Sequence, residues 1–326
     1  MSGTFPQKVA GRRATPWNFH WDGGPLELDR REVLVEGLDF SFTLLYLSDM
    51  HLSPGDEKLI EELGRTLESL KEPIHVVSLG GDFVNDAQGF ALVPRLLEAL
   101  PRSVPRVAVL GNHDFYQYRV RGVLGIFAPI LLKARPLNVA RLREILRGAD
   151  VEVLEHRGVT RELAGGAIYV YGMSQPKYGH PHRPPDETPP AACAGRRPFR
   201  LLLCHRPDVP ESYAQGFDLV MGGHTHGGQV RFPGIGALKT NCLVHPSTAS
   251  GHFRLGSAQW IVNHGFSADD RARFRLNTPR QISLLHIQPG TPPPLKALRF
   301  SAEPPRWRRS RSAARRSPGS YCPWCR

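Results

Sequence analysis

The segment FTLLYLSDMH, residues 42–51, joins a run of six strand-forming residues to a polar turn that carries an Asp and a His. Phe42 to Leu47 contains no charged residue, which is typical of a strand buried on both faces of a sheet. The run stops where Ser48 begins the turn. Because side chains two residues apart in an extended segment point the same way, we expect Asp49 and His51 to reach a common metal ion.

The same arrangement, an apolar run followed by polar residues, occurs twice more in the first half of the chain. Ile74 to Leu79 stops at Gly81-Asp82, and Arg106 to Leu110 runs into Gly111-Asn112-His113-Asp114. Segments with leucine at helical spacing separate the three runs, over about residues 59–70 and 90–100. This β-α-β-α-β order predicts a sheet with helices packed on it.

The second half of the chain predicts further strands, two of which end in histidine. The predicted strands are Ala167–Tyr171, Phe199–Cys204, Phe217–Met221, Gln259–Asn263 and Ile282–Ile287. His205 follows one, and Gly223-His224-Thr225-His226 follows another. Ligands gathered at the carboxyl ends of strands are where open α/β sheets place their sites. A set of imidazole, carboxylate and amide oxygen without thiolate suits Mn, Fe, Zn, Co or Ni and argues against a structural zinc site.

The order Asp-x-His, Gly-Asp, Gly-Asn-His-Asp, His, Gly-His-x-His resembles the calcineurin-like metallophosphoesterases over roughly residues 40–288. The last motif, Gly223–Gln229, is most similar to a bacterial branch of phosphodiesterases and UDP-2,3-diacylglucosamine pyrophosphatases. The resemblance implies an α/β fold with four layers, α/β/β/α, in which two mixed sheets are flanked by helices. It also implies a dinuclear-metal-dependent phosphoester hydrolase, with a phosphate-ester small molecule or a lipid-linked nucleotide such as UDP-2,3-diacylglucosamine as substrate.

The resemblance further implies a role for each motif residue, with Mn as the first choice for the two divalent ions. The first ion is expected on Asp49, His51 and His226, the second on Asn112, His205 and His224, with Asp82 as the bridge and His113 acting on the leaving group. A hydroxide between the ions would attack phosphorus, because two cations lower the pKa of bound water. One position departs from the family: Asn85 stands where many relatives have an acid that orients the catalytic His. Arg275–Gln281 is interpreted as structural.

The chain divides into three segments. Residues 1–39 are expected to form a leader with an edge strand near Val33–Val35, residues 40–288 the catalytic domain, and residues 289–326 a disordered basic tail. Within the domain, residues 115–136 form an insert that is either a core helix or a lid for a lipid. His180 and His182, in a Pro-rich loop, are expected in solvent, and His264 is a candidate for the rim of the site.

Composition indicates the cellular compartment and the kinds of partner to expect. No apolar run reaches the ~20 residues that span a bilayer, no secretory signal is visible, and the five Cys form no disulfide framework, which favours the cytoplasm. Residues 301–326 hold seven Arg and one Glu, half of the net charge of +12. This charge suggests contact with polyanions or with the inner face of the membrane. The alternatives are a nuclease or nucleic-acid-associated enzyme, and a metal-free interaction scaffold.

Overall fold

The computed structural model describes residues 19–20, 24–120, 132–175, 182–267 and 274–301. The α-helices of this part of the chain are α1 (Glu57–Glu68), α2 (Val93–Glu98), α3 (Asn112–Phe115) and α4 (Val139–Gly148). The strands are β1 (Phe19–His20), β2 (Leu26–Val35), β3 (Phe42–Leu47), β4 (Val76–Leu79), β5 (Arg106–Ala108), β6 (Tyr116–Val120), β7 (Leu132–Pro136), β8 (Val151–Val153), β9 (Arg157–Leu163), β10 (Gly166–Met173), β11 (Phe199–Cys204), β12 (Leu219–Gly222), β13 (Arg231–Phe232), β14 (Gly236–Ala237), β15 (Gly251–Leu255), β16 (Ala258–Val262), β17 (Arg275–Leu276) and β18 (Arg280–Pro289).

Six strands form a first mixed sheet in the order β2-β18-β3-β4-β5-β8. β3, β4, β5 and β8 run parallel, whereas β18 pairs antiparallel to β3 and parallel to β2. Every residue of β3 is buried, as the uncharged run predicts. Its side chains alternate: Leu45 and Leu47 pack with the helices, and Leu44 and Tyr46 point to the other face.

A second mixed sheet, in the order β15-β16-β12-β11-β10-β9, packs face to face on the first. One apolar cluster combines Leu44 and Val107 of the first sheet with Ile168, Leu201 and Met221 of the second. The two central mixed sheets confirm the fold that the sequence predicts. The layering also brings the carboxyl ends of β3, β4 and β5 toward those of β11 and β12.

The two outer faces are covered differently. Helices α1, α2 and α4 contribute Leu63, Leu96 and Leu142 to the outer face of the first sheet. On the outer face of the second sheet, Trp260 of β16 packs in a cluster with Phe217, Val244 and Leu298. In the described ranges, loops and short turns cover the outer face of the second sheet. The second helical layer of the expected four-layer fold is therefore reduced there.

The ends of the described chain join the sheets. β2 pairs with β18 along its whole length, so the edge strand expected near Val33–Val35 extends back to Leu26. At the other end, Leu298 is buried and Phe300 forms a bridge with Val244, so the chain packs on the second sheet as far as this point. Residues 289–301, which were expected to belong to the tail, therefore include contacts with the second sheet; residues 302–326 lie outside the described part.

The insert at 115–136 begins and ends as a hairpin, because β6 pairs antiparallel with β7. Its centre, residues 121–131, lies outside the described residues, so the choice between a core helix and a lid stays open there. Within the described ranges, no helix combines the length and the apolar character needed to cross a membrane.

Candidate metal centre

The eight residues that the sequence singles out converge at the facing edge of the two sheets. Asp49 and His51 follow β3, Asp82 follows β4, Asn112 and His113 open α3 after β5, His205 follows β11, and His224 and His226 follow β12. All eight side chains are buried. Each sheet therefore supplies part of one compact polar cluster.

The backbone reaches this cluster through left-handed turns. Asp49, His51, Asp82, His224 and His226 have φ between 44° and 64°, a region that non-glycine residues seldom adopt. The expectation that Asp49 and His51 lie in a regular strand is therefore wrong, since β3 ends at Leu47. Such strained conformations persist where the surroundings fix them, and they cluster at functional sites.

Tight backbone pairing fixes these turns. The amide of Asp49 donates to the carbonyl of Gly81 at 2.9 Å, and that of His51 donates to the carbonyl of Asp82 at 2.8 Å. Gly81 has φ of 86°, and a Cβ there would lie 2.5 Å from the amide nitrogen of Gly111. Glycine at position 81 thus allows the loop after β4 to contact the loop after β5.

The first candidate metal position lies between Asp49, His51 and His226. The Nε2 atoms of the two histidines are 3.2 Å apart. Oδ1 of Asp49 lies 3.7 Å from Nε2 of His226 and 4.0 Å from Nε2 of His51. These three atoms surround one point from three sides.

The second position lies between Asp82, His205 and His224. Nε2 of His205 is 3.1 Å from Nδ1 of His224 and 3.1 Å from Oδ2 of Asp82. The same Oδ2 lies 3.6 Å from Nε2 of His51, which belongs to the first position. Asp82 therefore stands where a bridging carboxylate would be needed.

The spacing of the donor atoms fits metal ions. Two ligands that each bind one ion at about 2.1 Å lie ~3.0–3.4 Å apart in octahedral or tetrahedral geometry, which matches the distances between the imidazole nitrogens. Oδ1 of Asn112 is buried and has no hydrogen-bond partner among the described residues, although buried amides are nearly always paired. The seven predicted ligands are thus suited to hold two divalent ions.

His113 lies beside both positions. Its ring meets that of His51 edge to face, with 4.6 Å between centroids, and that of Tyr118 from β6 at 4.9 Å. Its backbone amide donates to Oδ1 of Asp82 at 2.8 Å. Because a nitrogen of His113 lies close to His51 and Asp82, the distances also allow it as a ligand, and its role at the leaving group stays a prediction.

Opposite charges stabilise the ionised form of Asp82, whereas burial raises the pKa of Asp49. Burial opposes ionisation of Asp82, but His205 and His113 outweigh it and hold the pKa of Asp82 well below its usual value. Burial likewise opposes the charged form of His205, yet Asp82 raises the pKa of this histidine to about 9. Bound cations would replace these protons in neutralising the cluster.

Three residues that support the ligands were not assigned this role from the sequence. Oδ1 of Asn85 lies 2.9 Å from Nδ1 of His51, so Asn85 orients a predicted ligand and not the predicted catalytic His113. Asp114 accepts hydrogen bonds from the amides of Asp82, Phe83 and Gly111 at 2.6–2.9 Å. Arg275 donates to Nδ1 of His226 at 3.1 Å. Asp114 is marked in the sequence as the last residue of its motif and Asn85 by its place in the family pattern, but neither pattern indicates the partner that the residue contacts.

Two further histidines singled out in the sequence, His182 and His264, are buried or partly buried. The interpretation of His182 as solvent-exposed is wrong, because it is buried with Nε2 3.3 Å from Oδ1 of Asp208. His264 packs on Gly227, and its nitrogens contact Ser250 Oγ at 2.9 Å and the carbonyl of Pro279 at 3.1 Å. It therefore supports the loop after His226. His180 lies outside the described residues, as do Cys322 and Cys325.

Comparison with known proteins identifies the family of this chain. A family model described as calcineurin-like phosphoesterase matches residues 42–228, which is more than half of the chain and includes all eight site residues.

Three bacterial proteins are similar over more than half of this chain. The uncharacterized protein YpbG of Bacillus subtilis is 28% identical over 60% of this chain, which spans 64% of that protein. Phosphodiesterase YaeI of Escherichia coli is 27% identical over 71% of this chain and 80% of its own length. The uncharacterized metallophosphoesterase YkuE of Bacillus subtilis is 24% identical over 72% of this chain and 75% of its own length.

Proposed function

Because this chain belongs to the calcineurin-like phosphoesterases, whose members use divalent metal ions, we propose that it hydrolyses a phosphodiester or pyrophosphate bond at a dinuclear centre. The observation that carries the proposal is the position of Asp82, whose Oδ2 lies 3.1 Å from His205 and 3.6 Å from His51. One carboxylate oxygen thus faces both ligand groups. Two bound ions would activate water and stabilise the negative charge that develops on the phosphoryl group.

The protein's own residues have separable tasks in this proposal. Asp49, His51 and His226 hold one ion, and Asn112, His205 and His224 hold the other, with Asp82 between them. His113 holds a proton near the leaving oxygen, which needs a proton or a positive charge as its bond to phosphorus breaks. The buried setting of all eight residues strengthens these electrostatic contacts.

Replacing the bridge tests the proposal. Asp82→Ala should lower the metal content of the purified protein and reduce hydrolysis of bis-nitrophenyl phosphate by orders of magnitude. Asp86→Ala is the matched control, since the side chain of Asp86 caps a loop through the amides of Gln88 and Gly89. An Asp82→Ala protein that hydrolyses the ester as fast as the wild type would exclude the dinuclear mechanism.

We further propose a substrate that carries an apolar chain, such as UDP-2,3-diacylglucosamine. The support is the hairpin β13–β14, which follows the His226–Gly228 turn of the site. Its residue Ile235 is 74% exposed, and Leu238 directly after it is 60% exposed. Ala237 of the same hairpin packs on Gly228, which keeps these apolar side chains next to the metal loop. Each acyl methylene that such a surface covers would contribute about 0.8 kcal/mol.

The apolar substrate is tested by comparing kcat/KM for the diacylated nucleotide sugar and for the same nucleotide without acyl chains. The double replacement Ile235→Ser and Leu238→Ser should remove most of the preference for the acylated form and leave hydrolysis of the nitrophenyl ester intact. Phe300→Ser, at the other large exposed apolar side chain of the described residues, is the control. Equal cleavage of both nucleotides by the wild type would refute the lipid substrate but not the phosphoesterase.

A further inference from the structure

Histidine ligands differ in what their second ring nitrogen contacts. A metal-bound histidine usually donates its other N–H to a carbonyl or a carboxylate, which orients the ring and makes it a better ligand. Nδ1 of His205 lies 2.8 Å from the carbonyl of Gly80, and Nδ1 of His51 lies 2.9 Å from Oδ1 of Asn85. The amide group of Asn85 is itself oriented, because its Nδ2 donates to the carbonyl of His51 at 2.9 Å. Both rings therefore have an acceptor behind them.

His226 has a donor behind it. Nη2 of Arg275 lies 3.1 Å from Nδ1 of His226, and a guanidinium has N–H donors but no acceptor. Nδ1 must therefore accept this hydrogen bond. A neutral ring then carries its hydrogen on Nε2, the atom that faces His51 at 3.2 Å. With an ion on Nε2 the hydrogen of a neutral ring would move to Nδ1 and point at the guanidinium hydrogens.

Arg275 is held in this place from several sides. Its side chain is completely buried, and Nη1 donates to the carbonyls of His264 at 2.9 Å and Thr278 at 3.2 Å. Nη2 also donates to the carbonyl of Ser267. None of the ion pairs found among the described residues includes Arg275, although the charge of Asp49 acts on its guanidinium from beyond contact distance. Rotation away from His226 would break these bonds.

We propose that Arg275 is a positioning residue that makes the metal position of Asp49, His51 and His226 the weaker of the two. The inference rests on the proposed dinuclear centre. Two features of Arg275 support it. Its N–H donor opposes the Nδ1–H tautomer that a metal-bound His226 would have, and its buried positive charge would repel a divalent cation bound nearby. The position of Asn112, His205 and His224 is expected to fill first, and the other to fill only at higher metal concentration.

Titration of the metal-free protein with Zn²⁺ tests the order of filling without an activity assay. Calorimetry should resolve two binding steps whose affinities differ at least tenfold. Spectra of ¹⁵N-labelled histidine rings, assigned with His226→Gln and His205→Gln, should show the His205 signals shifting at the first equivalent and those of His226 only at the second. Equal affinities, or His226 signals that shift before those of His205, would overturn the inference while leaving the dinuclear centre in place. Failure to bind any metal would reject both.

A substitution isolates the contribution of Arg275. In Arg275→Gln the amide oxygen can accept from Nδ1–H of His226, so the weaker affinity should rise roughly 10–100-fold, the range by which such outer partners tune metal sites. Arg231→Gln is the matched control, because Arg231 is a half-buried neighbour that donates to Ser250 Oγ at 2.8 Å. Unchanged or lower affinity in folded Arg275→Gln would contradict the proposal. If that variant does not fold, the ring spectra of the metal-free wild type decide, since an Nδ1–H tautomer at His226 excludes the proposed hydrogen bond.

Discussion

Asn85 gives His51 a fixed orientation at the centre. Its amide oxygen lies 2.9 Å from Nδ1 of His51, and its nitrogen donates to the carbonyl of the same histidine and to Ser53 Oγ at 3.2 Å. An Asp in this place could accept from the ring but could not donate to these oxygens. The amide thus suits a turn in which His51 has φ of 44°.

We expect Asn85→Ala to lower the affinity for metal by about 10–100-fold, because His51 loses the acceptor that orients its ring. The affinity is measured by titrating the metal-free protein with Mn²⁺. Asn138→Ala is a control, since Asn138 caps α4 through the amide of Arg141 at 3.2 Å, away from the centre. Wild-type affinity in Asn85→Ala would show that the backbone alone orients His51.

His113→Ala should keep both metal ions but lose turnover by roughly 10²–10⁴-fold for a poor leaving group, the usual contribution of general acid catalysis. The loss should shrink for nitrophenyl esters, whose leaving group needs no proton. Metal content by mass spectrometry and kcat for alkyl and nitrophenyl esters are the measurements. If His113→Ala loses an ion, His113 is a ligand, as its distance to His51 and Asp82 also allows.

The convergence of the site residues could be predicted from sequence, but their conformations could not. Asp49-Met50-His51 has the pattern of a strand end, yet both polar residues are left-handed, because their amides pair with the loop of Gly81 and Asp82. Likewise, the sequence predicts a structural role for Arg275–Gln281, and only the fold shows that Arg275 contacts His226. Contacts between residues far apart in the chain leave no local pattern.

Buried strands were the elements that the sequence predicted best. Phe42–Leu47 and Phe199–Cys204 have the predicted bounds, because short, mostly apolar runs between polar turns are typical of buried strands. β9 and β15 were not predicted, because each lies at a sheet edge and its partly exposed residues do not form an apolar run. The short strands β6 and β7 were hidden within an insert expected to be a helix or a lid.

The edge strand β15 makes the fold sensitive to acid. Burial, followed by the nearby Arg31, lowers the pKa of His252 to about 4, while Nε2 lies 3.1 Å from Oε1 of Gln259. The unfolded chain takes up this proton near pH 6.5 and the folded chain only near pH 4. His252 therefore contributes full stability above pH 6.5 and loses it progressively as the pH falls toward 4, at no more than about 1.4 kcal/mol per pH unit.

We expect His252→Gln to flatten the fall of stability between pH 6.5 and 4, because Gln cannot take up the proton. The free energy of unfolding in urea, measured across this range, checks the expectation. His245→Gln, at an exposed histidine, should follow the wild-type curve. A variant at position 252 with the wild-type pH dependence would place the acid sensitivity elsewhere.

The contacts at the end of the described chain decide where the chain can be shortened without loss of stability. A chain that ends at Ser301 keeps buried Leu298 and the bridge between Phe300 and Val244, and we expect its melting temperature to match that of the full chain. A chain that ends at Gly290 loses both and uncovers part of the cluster around Trp260. It should melt several degrees lower, since burying one leucine contributes about 1.5–3 kcal/mol. Equal melting of the two truncated proteins would show that residues 291–301 add no stability.

The place of β18 between β2 and β3 has a consequence for synthesis on the ribosome. β2 and β3 are made early, but the strand that joins them follows about 230 residues later, which corresponds to roughly 10–50 s at usual rates of translation. During that time the apolar strand Phe42–Leu47 has an unpaired edge, a feature that promotes aggregation. We therefore expect nascent chains of this protein to be prone to aggregation until Arg280–Pro289 has emerged, and a message that ends before this strand to yield a product that aggregates more than the full chain.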